Sequence, residues 1–454
     1  MRSLTQCTVF ATITGLALIL LSCGGNKTAA DKAFTMDPPE WSRNAVIYEV
    51  NLRQFTPEGT LAAFREHLPR LKELGVDILW LMPIHPIGEI NRKGSLGSYY
   101  SVKDYKAMDP AYGTMEEFRA MVEEAHSLGM YVILDWVANH TAWDNPLMEE
   151  HPEWYLRDST GKVLSPYDWT DVAELDFEQQ GLWDYMAGAM EFWVRDYGVD
   201  GFRCDVAMMV PQDFWPYAIT RLQQVHNVFM LAEAEEVYLH DSAFHMTYAW
   251  NLHHLFNRIA RGESDADSLR KFVARDLSKF PPDAYRMNFT SNHDENSWNG
   301  TEYERLGDAV EVMTVLSYTL PGMPLIYSGQ EAGLNRRLSF FDKDSIEWKE
   351  HPMRQLYTDL GQLKHRHPAL RNGAEGGECE FVEGDAGARY VAFLRKKEGR
   401  EVLVVANLSP EPVPYQLSFT CKERWAPLGD EQDILLEQLP ATLGPWQYYV
   451  LEKK

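Results

Sequence analysis

The chain has 454 residues, with 43 Lys and Arg against 67 Asp and Glu and a formal net charge of −24. At roughly 150 residues per domain that length allows about three domains, or one large barrel and a smaller unit. Hydrophobic residues make up 45% and charged residues 24%, an ordinary globular balance that excludes wholesale disorder, while the acidity excludes nucleic acid as a main partner and a polybasic membrane anchor.

Residues 1–22 carry Arg2 and then an apolar run from Val9 to Leu21, too short to span a bilayer comfortably, which reads as a secretory signal. The run closes on Leu20-Leu21-Ser22-Cys23-Gly24-Gly25, which resembles a bacterial lipoprotein box. That resemblance implies cleavage before Cys23, acylation of Cys23, and attachment to an extracytoplasmic membrane face (periplasmic or cell-surface) through the N-terminal lipid only. A plain signal with an incidental Cys is the alternative. Residues 23–40 then form a polar tether. Beyond the leader only Cys204, Cys379 and Cys421 remain, too few for a disulfide framework; Cys379 and Cys421 either pair or stay free. His365 and His367 share one helical segment and are expected at the surface.

From residue 41 onwards short β-rich apolar runs alternate with amphipathic helical patterns. The strands are expected at Ala45–Val50, Val76–Met82, Met130–Asp135, Val199–Val206, Val228–Ala234, Ala284–Thr290 and Met323–Ser328, with a weaker one near Thr247–Leu252. Helices are expected between them at Leu61–Leu74, Met115–Leu128, Leu182–Tyr197, Asp213–Val225, Leu306–Leu320 and Met353–Lys364. Gly75 and Gly129 stand where helices end before the next strand. Eight such units predict a (β/α)8 TIM barrel over residues 41–371, with a short insertion at about 141–173 after the third strand. A doubly wound open sheet is the competitor, but no Gly-rich phosphate loop follows the first strand. From residue 372 to 454 the pattern changes to period two, at Tyr390–Leu394, Val402–Ala406 and Trp446–Leu451, which predicts an antiparallel β-sandwich.

Reactive groups gather where barrel strands end. The third strand ends Asp135-Trp136-Val137-Ala138-Asn139-His140, the fourth reaches Arg203-Cys204-Asp205, the fifth Ala232-Glu233, and the seventh Asn292-His293-Asp294. A lone Asp after a strand is more often a helix cap or a solvated loop residue, but four acidic termini converge on one mouth. Asp205 and Glu233 lie one βα repeat apart on adjacent strands, so their carboxyls can approach to about 5 Å, the separation of a retaining glycosidase. Arg203 and Asp205 share a strand face, which lets the guanidinium orient the carboxylate. Glu235 shares a face with Glu233 and is a rival acid, set against a plain solvated role.

The segments DWVANH (135–140), GFRCDVA (201–207), LAEAE (231–235) and FTSNHDE (289–295) resemble the four signature regions of the α-amylase superfamily, glycoside hydrolase family 13. YEVNLRQF (48–55), GSYYSVKDY (97–105), DPAYGT (109–114), ELDF (174–177) and PLIYSGQE (324–331) follow in the same order. The resemblance implies a retaining hydrolase of α-glucosidic bonds, most naturally α-1,4 bonds in starch or maltodextrins. It implies Asp205 as nucleophile, Glu233 as general acid and base, and Asp294 as stabiliser of the distorted sugar. Arg203 would fix Asp205, His140 and His293 would bond the sugar, and Tyr100 would stack on it.

Two departures qualify it. Met208 and Met209 stand where the family often has Lys-His, which removes a side-chain sugar contact. Asn139 matches a family calcium ligand and Glu174 stands where an Asp often does, so a structural calcium is a candidate cofactor; no organic cofactor is implied. The short insertion suggests an open cleft. Cyclomaltodextrinase-like, neopullulanase-like, α-glucosidase and transglycosylase activities would run on the same triad. A non-catalytic glucan-binding protein is disfavoured because Asp205, Glu233 and Asp294 are all present.

Overall fold

The computed structural model describes residues 37–383, 389–430 and 432–454. The leader, Cys23 and most of the tether therefore lie outside the described residues.

Eight parallel strands close into a barrel. In chain order they are β1 (Ile47–Val50), β2 (Ile78–Leu81), β3 (Tyr131–Trp136), then, after a short antiparallel ladder of β4 (His140–Ala142) and β5 (Val172–Glu174), β6 (Gly201–Cys204), β7 (Phe229–Ala232), β8 (Met246–Tyr248), β9 (Tyr285–Asn288) and β10 (Met323–Tyr327). Around the ring the order is β1-β10-β9-β8-β7-β6-β3-β2. The strands are short, mostly apolar runs buried almost throughout, as helix-covered parallel strands must be. Ile47, Ile78, Trp80, Ile133, Leu231 and Met287 meet in the barrel core. The helices are punctuated by ordinary local chemistry. Thr114 and Glu117 form a reciprocal capping box at the start of Met115–Ser127. Gly75, at φ 94°, ends Leu68–Leu74 in the left-handed conformation.

The expected barrel is thus present, with local differences. The weakest predicted strand is Met246–Tyr248, earlier than expected, because Trp250–Ala260 is already helix. A second helix, Ala266–Lys279, starts at Asp265, whose carboxylate accepts from Ser268 N–H. The helix expected over 61–74 is two pieces, Leu61–Arg65 and Leu68–Leu74. His365 and His367 are not free at the surface: His365 Nε2 lies 2.7 Å from Asp77, and His367 is buried under the C-terminal sheet.

Beyond the barrel the strands β11 (Glu378–Phe381), β12 (Tyr390–Lys397), β13 (Arg400–Asn407), β14 (Val413–Pro414), β15 (Arg424–Pro427), β16 (Ile434–Leu435), β17 (Thr442–Leu443) and β18 (Tyr448–Lys453) follow. Six of them form an antiparallel sheet in the order β11-β12-β13-β18-β15-β16, and β14 pairs with β17 beside it. Leu403, Val405, Trp425 and Leu451 pack with Val413 and Leu443 between the two. This unit is bonded to the barrel: Arg395 is buried and donates to Thr319 O at 2.6 Å, and Arg366 bonds Glu452 at 2.9 Å. Cys204, Cys379 and Cys421 are all free thiols.

Candidate active site

The register of the barrel sets the site. Asp135 pairs with Arg203 across β3 and β6, and Cys204 pairs with Ala232 across β6 and β7. Asp205 and Glu233 are therefore the next residues out on adjacent strands. Their backbones stay anchored: Asp205 N–H donates to Trp136 O at 2.9 Å and Glu233 N–H to Cys204 O at 3.0 Å. Both carboxylates open into a cavity of about 500 Å³ that Tyr100, His140, His293 and Asp294 also line.

Arg203 organises the floor of that cavity. Its side chain is fully buried, and Nη1 donates to Asp135 and to Asp205, each at 2.9 Å. Nε donates to the Tyr248 hydroxyl at 3.1 Å. Nη2 stands 3.0 Å from Glu233 but in a direction that makes no hydrogen bond. Glu233 instead accepts from Val206 N–H at 2.8 Å. Burial pushes Glu233 up to about 7; Arg203 opposes that, while the charges of Asp205 and Asp294 add to it. Burial also raises Asp205, and Arg203 pulls it back, leaving it at about 6. One acid and one ionised carboxylate can thus coexist near neutrality, the division of labour that acid-assisted displacement needs.

The two histidines take opposite states. Burial holds His140 down at about 3, so its ring is neutral. Burial also disfavours charge on His293, but Asp294 and Glu49 outweigh it and lift the ring to about 9. His293 Nδ1 lies 2.5 Å from Glu49, and Nε2 lies 2.8 Å from the Tyr100 hydroxyl and 3.3 Å from Asp294. Tyr100 passes a hydrogen bond on to Asp135 at 3.1 Å, and Trp80 Nε1 donates to the same carboxylate oxygen at 3.1 Å. A continuous chain therefore runs Glu49, His293, Tyr100, Asp135, Arg203, Asp205.

Every predicted site residue among the described residues falls in or beside this cavity, and Cys23 lies outside them. Glu235 does not compete with Glu233: it is tied to Arg286 at 2.5 Å and to the Asn251 side chain at 2.7 Å. Glu49, Trp80, Asp135 and Tyr248 complete the site without having been assigned roles from sequence. Glu49 carried one available signal, an ionisable side chain inside an otherwise apolar first strand.

Asn139 is buried, its side-chain amide nitrogen stands 3.3 Å from the His140 ring, and its backbone carbonyl accepts from Leu175 N–H. Glu174 faces His140 across the β4–β5 ladder. Calcium takes six to eight oxygen ligands, so a site built on these two residues would draw the rest from backbone carbonyls and water. Among the described residues no group of three or more His, Cys, Asp or Glu side chains is placed to hold a metal ion.

The profile of the alpha amylase catalytic domain matches residues 26–171 and 147–377, which together span well over half the chain. The chain belongs to the α-amylase family. A curated relative, alpha-amylase MalA of Haloarcula japonica, is 29% identical over 393 residues; the match covers 83% of this chain and 57% of that protein. Among solved structures, an alpha-amylase from Lactobacillus plantarum superposes with a TM-score of 0.81 at 31% identity, covering 91% of this chain and 99% of that one. A noncanonic maltogenic alpha-amylase, AmyB from Thermotoga neapolitana, gives the same TM-score of 0.81 at 28% identity, covering 91% and 97%. The family profile covers the barrel and the insertion and ends at residue 377, just before the C-terminal sheet begins at Glu378.

Proposed function

We propose that the protein is a retaining glycoside hydrolase that cleaves α-1,4-glucosidic bonds in starch or maltodextrins. The observation that carries this reading is the sharing of one buried guanidinium by Asp205 and Glu233, with only Asp205 hydrogen-bonded to it. Two carboxyls held on one guanidinium at the ends of adjacent strands suit double displacement, in which one is the nucleophile and the other the acid.

In the first step a carboxylate oxygen of Asp205 attacks the anomeric carbon, the bond to the glycosidic oxygen breaks, and Glu233 gives its proton to that oxygen. In the second, Glu233 takes a proton from water, the water oxygen attacks the anomeric carbon, and Asp205 leaves as carboxylate. Net retention follows from two inversions. Arg203 keeps Asp205 ionised and aimed. Asp294 and protonated His293 face the ring hydroxyls, and Tyr100 offers its face to the sugar. Relatives named cyclomaltodextrinase and maltogenic alpha-amylase share the family, so a sugar acceptor in place of water is the second outcome open to the same intermediate.

The N-terminal motif supports a further part of the reading, that Cys23 is acylated and holds the enzyme on an extracytoplasmic membrane face. Replacing Cys23 with Ser is expected to release soluble enzyme; full retention on the membrane would contradict it. The hydrolase reading itself is tested by following the first products from maltooligosaccharides by NMR. Initial release of the α-anomer is expected, and initial release of the β-anomer, or no release of reducing ends from any α-glucan, would refute it.

A further inference from the structure

The rim of the cleft is not uniform, and its asymmetry bears on which bonds are cut. This inference rests on the hydrolase reading and specifies its substrate end. Glu233 protonates the leaving oxygen, so the departing chain lies on the β7 side, and the retained sugar extends the other way. In the eight-strand ring β1 stands diametrically opposite β7, and β2 and β10 flank β1. The loops after β2 and β10 therefore bound the retained end of the substrate.

Those loops are fastened into one wall. Leu96 N–H donates to Phe341 O at 3.0 Å, Ser95 donates to Asp342 through N–H at 2.8 Å and through Oγ at 2.7 Å, and Arg53 Nη1 donates to Gly97 O at 3.0 Å and Phe340 O at 3.4 Å. On its other side the β2 loop is fastened to the insertion. Lys93 pairs with Asp171 at 2.9 Å, Ser101 Oγ donates to Asp171 O at 3.0 Å, and Asp144 takes Lys103 at 3.0 Å and Glu89 N–H at 3.0 Å. The approach is tight enough to require glycine. A Cβ at Gly88 would come within 2.4 Å of Ala142 Cβ, and one at Gly94 within 2.5 Å of Phe341 Cβ. Lys93, Asp171, Phe340 and Phe341 line the same cavity as Asp205 and Glu233. Trp298 thickens the wall, with its ring 5.2 Å from Phe340 and 5.7 Å from Phe341.

We infer that this wall closes the cleft at the retained end, so that the enzyme works from the non-reducing ends of α-glucans and releases glucose or maltose, with the Lys93–Asp171 pair as its latch. The open cleft suggested by the short insertion is thereby replaced by a blind one: the insertion is short but bonded to its neighbour. Lys93 and Asp171 act on specificity, not on the chemistry.

The test compares p-nitrophenyl α-maltoheptaoside with the same compound blocked at its non-reducing sugar. The native enzyme is expected to cleave the blocked form about tenfold or more slowly. Lys93→Ala is expected to raise the blocked-to-free ratio by about tenfold, with trisaccharide and longer products appearing, and Lys93→Arg to keep the native ratio. Equal cleavage of both compounds by the native enzyme would overturn the inference while leaving the hydrolase reading intact. An unchanged ratio in Lys93→Ala would overturn the latch. Failure to cleave either compound, or any other α-glucan, would overturn both readings.

Discussion

Arg203 and Glu233 lie 3.0 Å apart without a hydrogen bond, whereas the same guanidinium bonds Asp205 directly at 2.9 Å. Both carboxylates feel the positive charge; Asp205 also accepts from the guanidinium itself, whereas Glu233 accepts from Val206 N–H at 2.8 Å. Hydrogen bonding to the charged form lowers a carboxylate pKa, and burial raises it. Burial outweighs these bonds in both, lifting Glu233, whose ordinary value is already the higher, to about 7 and Asp205 to about 6.

This separation sets a pH profile. As pH rises through about 7, Glu233 loses the proton it must donate, and as pH falls below about 6, Asp205 becomes protonated and cannot attack. A bell-shaped kcat/KM with its maximum between those values is expected. With α-glucosyl fluoride, whose leaving group needs no proton, the alkaline limb should flatten while the acid limb stays. Persistence of the alkaline limb would show that it does not belong to Glu233.

Removing the cation should be more damaging than removing a surface charge. Arg203→Met leaves Asp135, Asp205 and Glu233 buried together with no guanidinium. A loss of about 3–5 kcal/mol in stability is expected, the scale for breaking a buried ion pair, together with a large loss of turnover. Arg203→Lys should recover part of the stability but little of the turnover, because one ammonium cannot stand in for Nη1 on Asp135 and Asp205, Nη2 beside Glu233 and Nε on Tyr248 together. Denaturant melts alongside assays separate the two effects.

Glu49 acts on the sugar through His293. Glu49→Gln removes one of the two anions that hold the His293 ring up at about 9. The ring pKa is expected to fall, visible in the imidazole NMR titration, and KM to rise as the ring loses its charge at lower pH. Rescue by Glu49→Asp would separate the charge from simple packing. An unmoved imidazole titration in Glu49→Gln would refute the link.

Glu302 gives a stability prediction away from the chemistry. It is fully buried, it bonds Thr290 and Gln330, and burial pushes it up to about 7. Its folded pKa lies above the usual carboxylate value, so its stabilising share is complete at low pH and is lost as pH rises through about 7. Glu302→Gln should therefore gain stability relative to the parent as pH goes from 5 to 8, by about 1–2 kcal/mol. A constant difference across that range would contradict it.

The barrel and its acidic strand ends were legible in sequence because alternation of apolar runs with amphipathic helices is a local signal, and Asp205, Glu233 and Asp294 each sit just beyond such a run. β8 was hard to place because three residues leave too little pattern and the helix Trp250–Ala260 begins two residues later. Glu49 and His293 are separated by 244 residues, and no local periodicity couples them. The same holds for Lys93 and Asp171. Charged residues in two polar loops look solvated until the fold brings the loops together.

The central claim is that Asp205 forms the covalent intermediate. It is tested most directly by incubating the enzyme with 5-fluoro-α-glucosyl fluoride, which slows breakdown of the glycosyl-enzyme, and mapping the added mass by peptide mass spectrometry. The sugar is expected on the peptide containing Asp205, and absent from Asp205→Asn. A label on Glu233, Asp294 or any other carboxylate, or turnover of natural substrate by Asp205→Asn within about tenfold of the parent, would contradict the account.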